Sequence, residues 1–281
     1  MNLLSRCPLT KTLLGAAAAL TLSLPTSRAE AAAPSVALPD WSGLWQMVGG
    51  SIWEPDKVTP PGGGSGQPGV REHPPYNAVW EKKYDENIDK ITRDLFPDPI
   101  SFCGVPAGYP RLLNLPDSYE FALRPEQVWI LSENGPNILR IYTDGRPHLG
   151  ADEIGPSYTG DSIGHWEGDT LVIDTVGLKG AGDVILNRTG LINSEMLHVT
   201  ARARKTADGM IEFQLVLEDP VAFTAPWKVV KRFKKLATNL RALDYACGEN
   251  NRNPVDAAGR TLTLGPDGKP LDDPLPAPPA R

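Results

Sequence analysis

Two histidines and two aspartates near the ends of predicted strands are the residues best suited to acid–base chemistry. His148 follows the turn signal Asp144-Gly145, while Asp174 and His198 lie within runs rich in Val, Ile and Leu. Because imidazole titrates nearest to neutral pH, we expect His148 or His198 to transfer the proton. Asp144 or Asp174 would then orient the imidazole ring.

Four further residues are predicted to bind the substrate. Arg111 or Arg146 would hold an anionic oxygen, and Tyr142 precedes Arg146 on the same segment. Ser162 stands in Gly160-Asp161-Ser162-Ile163-Gly164, which matches the G-x-S-x-G pattern of serine hydrolases. The residues that follow predict a hairpin rather than the helix this motif requires, so we expect Ser162 at a strand entry and not as a nucleophile.

Charged residues inside the predicted strands leave two interpretations open. Glu133, Arg140 and Asp174 lie in or at the ends of apolar strands, where a charge facing inward must be paired. The pairs could form a structural ring at the barrel end or a catalytic acid–base set. If these faces point inward, Arg140, Asp174 and the His148 loop converge on a cavity, whereas outward faces would scatter them into solvent.

The elements that position these residues are short strands. Alternation with period two, punctuated by turn signals such as Asp144-Gly145 and Asp208-Gly209, predicts an all-β fold, an antiparallel lipocalin-like β-barrel with a sandwich as the alternative. Gly43-x-Trp45 at the first strand is typical of the closed end of lipocalin-like barrels. The expected strands are a first one near residues 40–48, then Gln127–Glu133, Ile138–Thr143, Ser162–Trp166, Thr170–Gly177, Leu197–Arg204, Met210–Glu218 and Trp227–Leu236.

One helix is expected, between Asn77 and Arg93. Ala78, Tyr84, Ile88 and Ile91 lie on one side of it, with charged residues around them.

The ends of the chain predict export. Residues 1–31 have the layout of a cleavable signal peptide, with basic residues, a short apolar run and Ala29-Glu30-Ala31. We therefore expect a periplasmic or secreted protein with no membrane span after cleavage. A linker over 32–39, a barrel domain over 40–252 with an insertion over 55–100, and a disordered Pro-rich tail over 253–281 complete the predicted organisation.

Composition limits the partners. In an oxidising compartment the two cysteines of the mature chain, Cys103 and Cys247, are expected to form a disulfide. A formal net charge of −6 gives no basic field for nucleic acid, so the expected partner is a small molecule. No nucleotide, flavin or haem motif is present and no cofactor is expected. The four histidines lack metal-site spacing; separate strands could still assemble them, but no metal is expected and the oligomeric state stays open.

Six segments together resemble a family of exported bacterial hypothetical proteins that carry a W-E-G-D-T-L-V motif. They are Cys103-Gly104-Val105-Pro106, Pro110-Arg111, the run 141–148, the run 162–175 that contains the motif, Glu218-Asp219-Pro220 and Cys247-Gly248-Glu249-Asn250. The resemblance covers residues 40–251 and implies export and a single domain, but no particular activity. This chain departs from the family pattern at Asp161, His165 and Ala201, and Ala201 deprives Arg202 of the acidic neighbour that the pattern implies.

These observations predict a periplasmic β-barrel that binds a small, largely apolar organic molecule. It could act on that molecule by cofactor-independent acid–base catalysis, as an isomerase, cyclase, lyase or hydrolase. The alternative is a non-catalytic ligand-binding or envelope-associated protein.

Overall fold

The computed structural model is a closed barrel of nine strands with one α-helix beside it. It describes residues 37–60, 70–93, 98–102, 105–133, 138–150, 152–153 and 155–243. The strands are β1 Leu44–Met47, β2 Ser118–Leu123, β3 Gln127–Ser132, β4 Ile138–Tyr142, β5 Asp161–Glu167, β6 Thr170–Val176, β7 His198–Lys205, β8 Ile211–Glu218 and β9 Trp227–Lys235, and the helix is α1 Ala78–Thr92. The predicted all-β, lipocalin-like barrel is confirmed, and the sandwich alternative is wrong.

The strands follow chain order around the barrel, and β1 closes it by pairing with β9. Every neighbouring pair is antiparallel except β4 and β5, which run parallel. The parallel pairing is possible because a long segment connects the two strands: the chain leaves β4 at Tyr142 and does not re-enter the barrel until Asp161. A long crossover segment of this kind is what parallel neighbours need. The segment between β4 and β5, called the crossover segment below, lies at the candidate site.

Two predicted elements need correction. Strand β2 was missed, although Tyr119 and Phe121 alternate with exposed positions as a half-buried strand should. Helix α1 begins after the cap Asn77, as expected, but buries Trp80 with Tyr84, Ile88 and Ile91, while Ala78 is exposed. The predicted turns at 168–169 and 208–209 are confirmed between β5 and β6 and between β7 and β8.

The barrel interior is filled by side chains. Phe121, Phe213 and Phe233 lie with ring centroids 5.6 to 5.9 Å apart, and Trp45 closes this cluster with its indole N–H donated to the Trp41 carbonyl. Edge-to-face and offset contacts of this kind add to the stabilisation from apolar burial. The tryptophan of Gly43-x-Trp45 therefore has the expected place.

The charged residues of the strands face outward, so the inference that they face a cavity inside the barrel was wrong. On β4, Leu139 and Ile141 are buried and Arg140 is exposed; on β6, Ile173 and Thr175 are buried and Asp174 is not. Alternate side chains of a strand face opposite sides of the sheet, so either the aliphatic set or the charged set faces the core. The aliphatic set faces the core because burying unpaired charges there would cost free energy.

Lys231 is the exception, because it is a charged strand residue that is 4% exposed. Its ammonium group donates to the Ile52 carbonyl and lies 5.2 Å from the Trp53 ring. Glu72 is 1% exposed and accepts a hydrogen bond from the Trp53 backbone N–H at 2.6 Å and another from Asn187. Burial lowers the pKa of Lys231 to about 8 and raises that of Glu72, while their mutual attraction opposes both shifts.

Several predictions concern residues outside the described part of the chain. These are the signal peptide, most of the linker, the Pro-rich tail, part of the insertion and the Cys103–Cys247 disulfide. They stay predictions. None of the helices in the described residues is long and apolar enough to cross a membrane.

Candidate functional site

Four titratable side chains from neighbouring strands meet on the outer wall of the barrel. Asp161 begins β5, Asp174 lies on β6, His198 begins β7, and His148 belongs to the segment between β4 and β5. Asp174 pairs with Ile163 on one side and Thr200 on the other, so its outward-facing side chain lies between those of the two adjoining strands. We call these four residues the acid–base cluster.

His148 contacts a carboxylate with each ring nitrogen. Its Nδ1 lies 2.7 Å from Asp161 Oδ2, and its Nε2 lies 3.3 Å from Asp174 Oδ1. An ionised carboxylate only accepts hydrogen bonds, and a neutral imidazole has a single N–H. A neutral His148 can therefore donate to one of the two carboxylates at a time, whereas an imidazolium can donate to both.

A second imidazole shares the same carboxylate oxygen. His198 Nε2 lies 2.6 Å from Asp174 Oδ1, and His198 Nδ1 lies 4.0 Å from Glu218 Oε2 on β8. Asp174 thus links His148 to His198, and the order Asp161, His148, Asp174, His198 forms a continuous chain of proton donors and acceptors. Such a chain can carry a proton from a site to solvent.

The cluster is less exposed at the Asp161 end than at the His198 end. Side-chain exposure is 13% for Asp161 and 23% for His148, against 42% for Asp174 and 37% for His198. Hydrogen bonds at the Asp161 end are therefore less screened by water than those at the His198 end.

Asp161 is held in place by its local backbone. The preceding Gly160 has φ of +67°, and a Cβ there would lie 2.5 Å from the Val176 carbonyl oxygen. Only glycine tolerates both the conformation and the approach. Asp161 Oδ2 also accepts the Leu149 backbone N–H at 3.2 Å, which ties the crossover segment to the carboxylate.

A pocket of about 330 Å³ lies against the outer side of β4 and the start of β5. Its size is at the small end of ligand-binding pockets. Asp161 is the member of the acid–base cluster that lines it, together with Arg140, Tyr142, Arg146, Pro147, Leu149, Glu153, Gly155, Ser157, Thr159, Gly160 and Ser162. The crossover segment and the outward-facing Arg140 and Asp161 therefore line one pocket, although Arg140 is exposed and Asp174 lies outside the pocket lining.

Asp144 and Arg146 form an ion pair at the edge of this pocket. Arg146 Nη2 lies 2.6 Å from Asp144 Oδ2, and the guanidinium stacks over the Tyr142 ring at 4.2 Å. The hydrogen bonds from Arg146 lower the pKa of Asp144. Of the predicted pair, Asp174 contacts both histidines, whereas the carboxylate of Asp144 is bonded to Arg146.

Ser162 and Arg111 have buried polar partners. Ser162 lines the pocket but is 1% exposed, and its Oγ lies 2.8 Å from Thr175 Oγ1. Arg111 is 3% exposed and donates two hydrogen bonds to Asp98, at 2.8 and 2.6 Å. Arg111 is not among the pocket-lining residues, and its bidentate bonds to Asp98 resemble a structural ion pair more than a substrate clamp.

Sequence reasoning brought His148, Asp174 and His198 forward and missed Asp161 as a member of the site. Asp161 was noticed only as a departure from the family pattern. The available signal was its position directly after a glycine at a predicted strand entry.

Within the described ranges, no group of three metal-ligating side chains is arranged to hold a metal ion. Neither a known protein-family model nor a curated protein matches the chain. The fold and this geometry define an all-β barrel that carries an acid–base cluster and a small pocket on its outer wall.

Proposed function

We propose that the protein is an exported enzyme that binds a small organic molecule in the outer-wall pocket and acts on it by acid–base chemistry. The observation that supports this most strongly is the contact of both His148 ring nitrogens with carboxylates, one of which, Asp161, lines the pocket. A proton held this close to a ligand pocket is what general acid–base catalysis requires.

The roles follow from the order of the residues. Asp161 exchanges a proton with the bound molecule, and His148 is the proton-transfer group behind it, which stabilises either charge state of Asp161 through the 2.7 Å contact. Asp174 orients His148 and connects it to His198, whose greater exposure allows exchange with water. The reaction class is proton transfer to or from an organic substrate, as in isomerisation, cyclisation, elimination or hydrolysis.

Small molecules retained by the purified mature protein test this proposal. Mass spectrometry of the wild type should recover substrate and product together, because a turning-over enzyme equilibrates them. The Asp161→Asn variant should retain substrate alone and convert an extract of the source cells about 10² to 10⁴ times more slowly. Asp169→Asn is the matched control, since Asp169 lies in the exposed turn at the opposite end of the β5–β6 hairpin.

One result would favour the binding protein instead. Recovery of a single unchanged compound from both wild type and Asp161→Asn, with no conversion by either, would make the acid–base cluster a structural set of ion pairs.

A further inference from the structure

We propose that the pocket takes an organic carboxylate and that Arg140 binds the anionic group. This inference rests on the proposed function, since it names the substrate class of the same pocket. It also has its own measurement, which is binding and not turnover.

Arg140 lines the pocket and, among the described residues, forms no ion pair within 4 Å. It projects from the outer face of β4 and is exposed, and no carboxylate pairs with it anywhere in the described part of the chain. Arg146, the other pocket guanidinium, is already paired with Asp144. A planar guanidinium free of protein partners and directed along a pocket wall matches a carboxylate through two parallel hydrogen bonds.

The two carboxylates of the pocket, Asp161 and Glu153, are bonded to other donors. Asp161 contacts His148 Nδ1 and accepts a hydrogen bond from the Leu149 N–H, and Glu153 accepts one from the Gly150 N–H at 3.1 Å. Both are engaged with donors of the crossover segment and not with Arg140. An incoming anion therefore meets one unpaired cation and two carboxylates that already have donors.

The rest of the lining fits an apolar body. Pro147 and Leu149 supply aliphatic surface, and the Tyr142 ring is fixed by the Arg146 guanidinium stacked on it. With about 330 Å³ available, the pocket suits a compact acid with a short chain or a single ring. Binding of the carboxylate at Arg140 would leave the other end of the molecule toward Asp161, where the proton is held.

Titration calorimetry of the mature protein with hexanoate and benzoate tests the inference, with hexanamide and benzamide as neutral counterparts. We expect the acids to bind about tenfold or more tightly than the amides, because the charge-assisted bonds to Arg140 are lost in the amides. Arg140→Met should weaken hexanoate binding by a similar factor. Arg204→Met is the control, since Arg204 is an exposed arginine on β7 outside the pocket lining, and it should leave the affinity within about twofold.

Two outcomes would overturn the inference: amides that bind as well as acids, or equal loss of affinity in Arg140→Met and Arg204→Met. Inorganic phosphate that binds more tightly than hexanoate would also overturn it, since the apolar lining would then contribute nothing. Circular dichroism melting verifies that Arg140→Met is folded.

Failure of this inference and failure of the proposed function are distinguishable. The protein could bind hexanoate in a way that depends on Arg140 but not on His148, and convert nothing. That result would support the carboxylate site and contradict the proposed enzymatic function. Conversion that depends on Asp161, with no preference for acids over amides, would support the proposed enzymatic function and contradict the carboxylate site.

Discussion

The buried Lys231 predicts an unusual dependence of stability on pH. Its pKa is lowered from 10.5 to about 8 by burial, so between these two values the unfolded chain binds more protons than the folded protein. The free energy of unfolding must therefore rise with pH through this window, the opposite of the loss expected for a lysine that gains a salt bridge at the surface.

The magnitude follows from the two pKa values. A pKa difference of one unit corresponds to about 1.4 kcal/mol. The free energy of unfolding changes with pH only where the unfolded lysine is still charged and the folded lysine has begun to lose its proton. Between about pH 7.5 and about pH 9.5, Lys231 should add about 2 kcal/mol to the free energy of unfolding.

The perturbation is Lys231→Met, which keeps an unbranched side chain of similar length and removes the titrating group. Urea denaturation followed by circular dichroism at several pH values gives the free energy of unfolding. The rise with pH should disappear in Lys231→Met and persist in Lys228→Met, because Lys228 is an exposed lysine on the same strand. Two results would refute the reasoning: a wild type whose stability is flat or falls over this range, or a rise retained in Lys231→Met.

Three further predictions concern other parts of the molecule. Asn77→Ala should lower the free energy of unfolding by about 1 kcal/mol, because its side chain accepts the Val79 and Trp80 N–H groups at the start of α1; a urea titration at one pH measures this. Ser162→Ala should also lower the free energy of unfolding by about 1 kcal/mol through loss of the hydrogen bond with Thr175, yet leave conversion of the cell extract intact. Loss of all conversion in a folded variant would instead indicate that Ser162 is a nucleophile. Intact-mass measurement with and without reductant should find one Cys103–Cys247 disulfide in periplasmic material, and two alkylatable thiols would contradict it.

The strands could be predicted from the sequence because period-two alternation and turn chemistry are local signals. Strand β2 escaped notice because it is only six residues long, with the single charged residue Glu120 between Tyr119 and Phe121. Its burial becomes clear only when β1 and β3 lie on either side of it. The barrel was thus predictable as a class, while the full strand set depended on pairing between distant segments.

The acid–base cluster was predicted in part and for the wrong geometric reason. Asp174 and the His148 loop were expected to converge only if the strand faces pointed inward, yet Asp174 faces outward and contacts both histidines on the barrel wall. The crossover between β4 and β5 brings His148 back over the sheet, and parallel pairing of those strands cannot be inferred from local pattern. Asp161 was missed for the same reason: it contacts His148 and lines the pocket only because β5 begins beside β4.

Proton and nitrogen NMR of the His148 imidazole tests most directly whether this ring shares protons with two carboxylates beside the pocket. We expect a downfield proton signal from the contact between His148 Nδ1 and Asp161, and loss of that signal in Asp161→Ala. A single N–H on His148 in the wild type, unchanged by Asp161→Ala, would contradict the account.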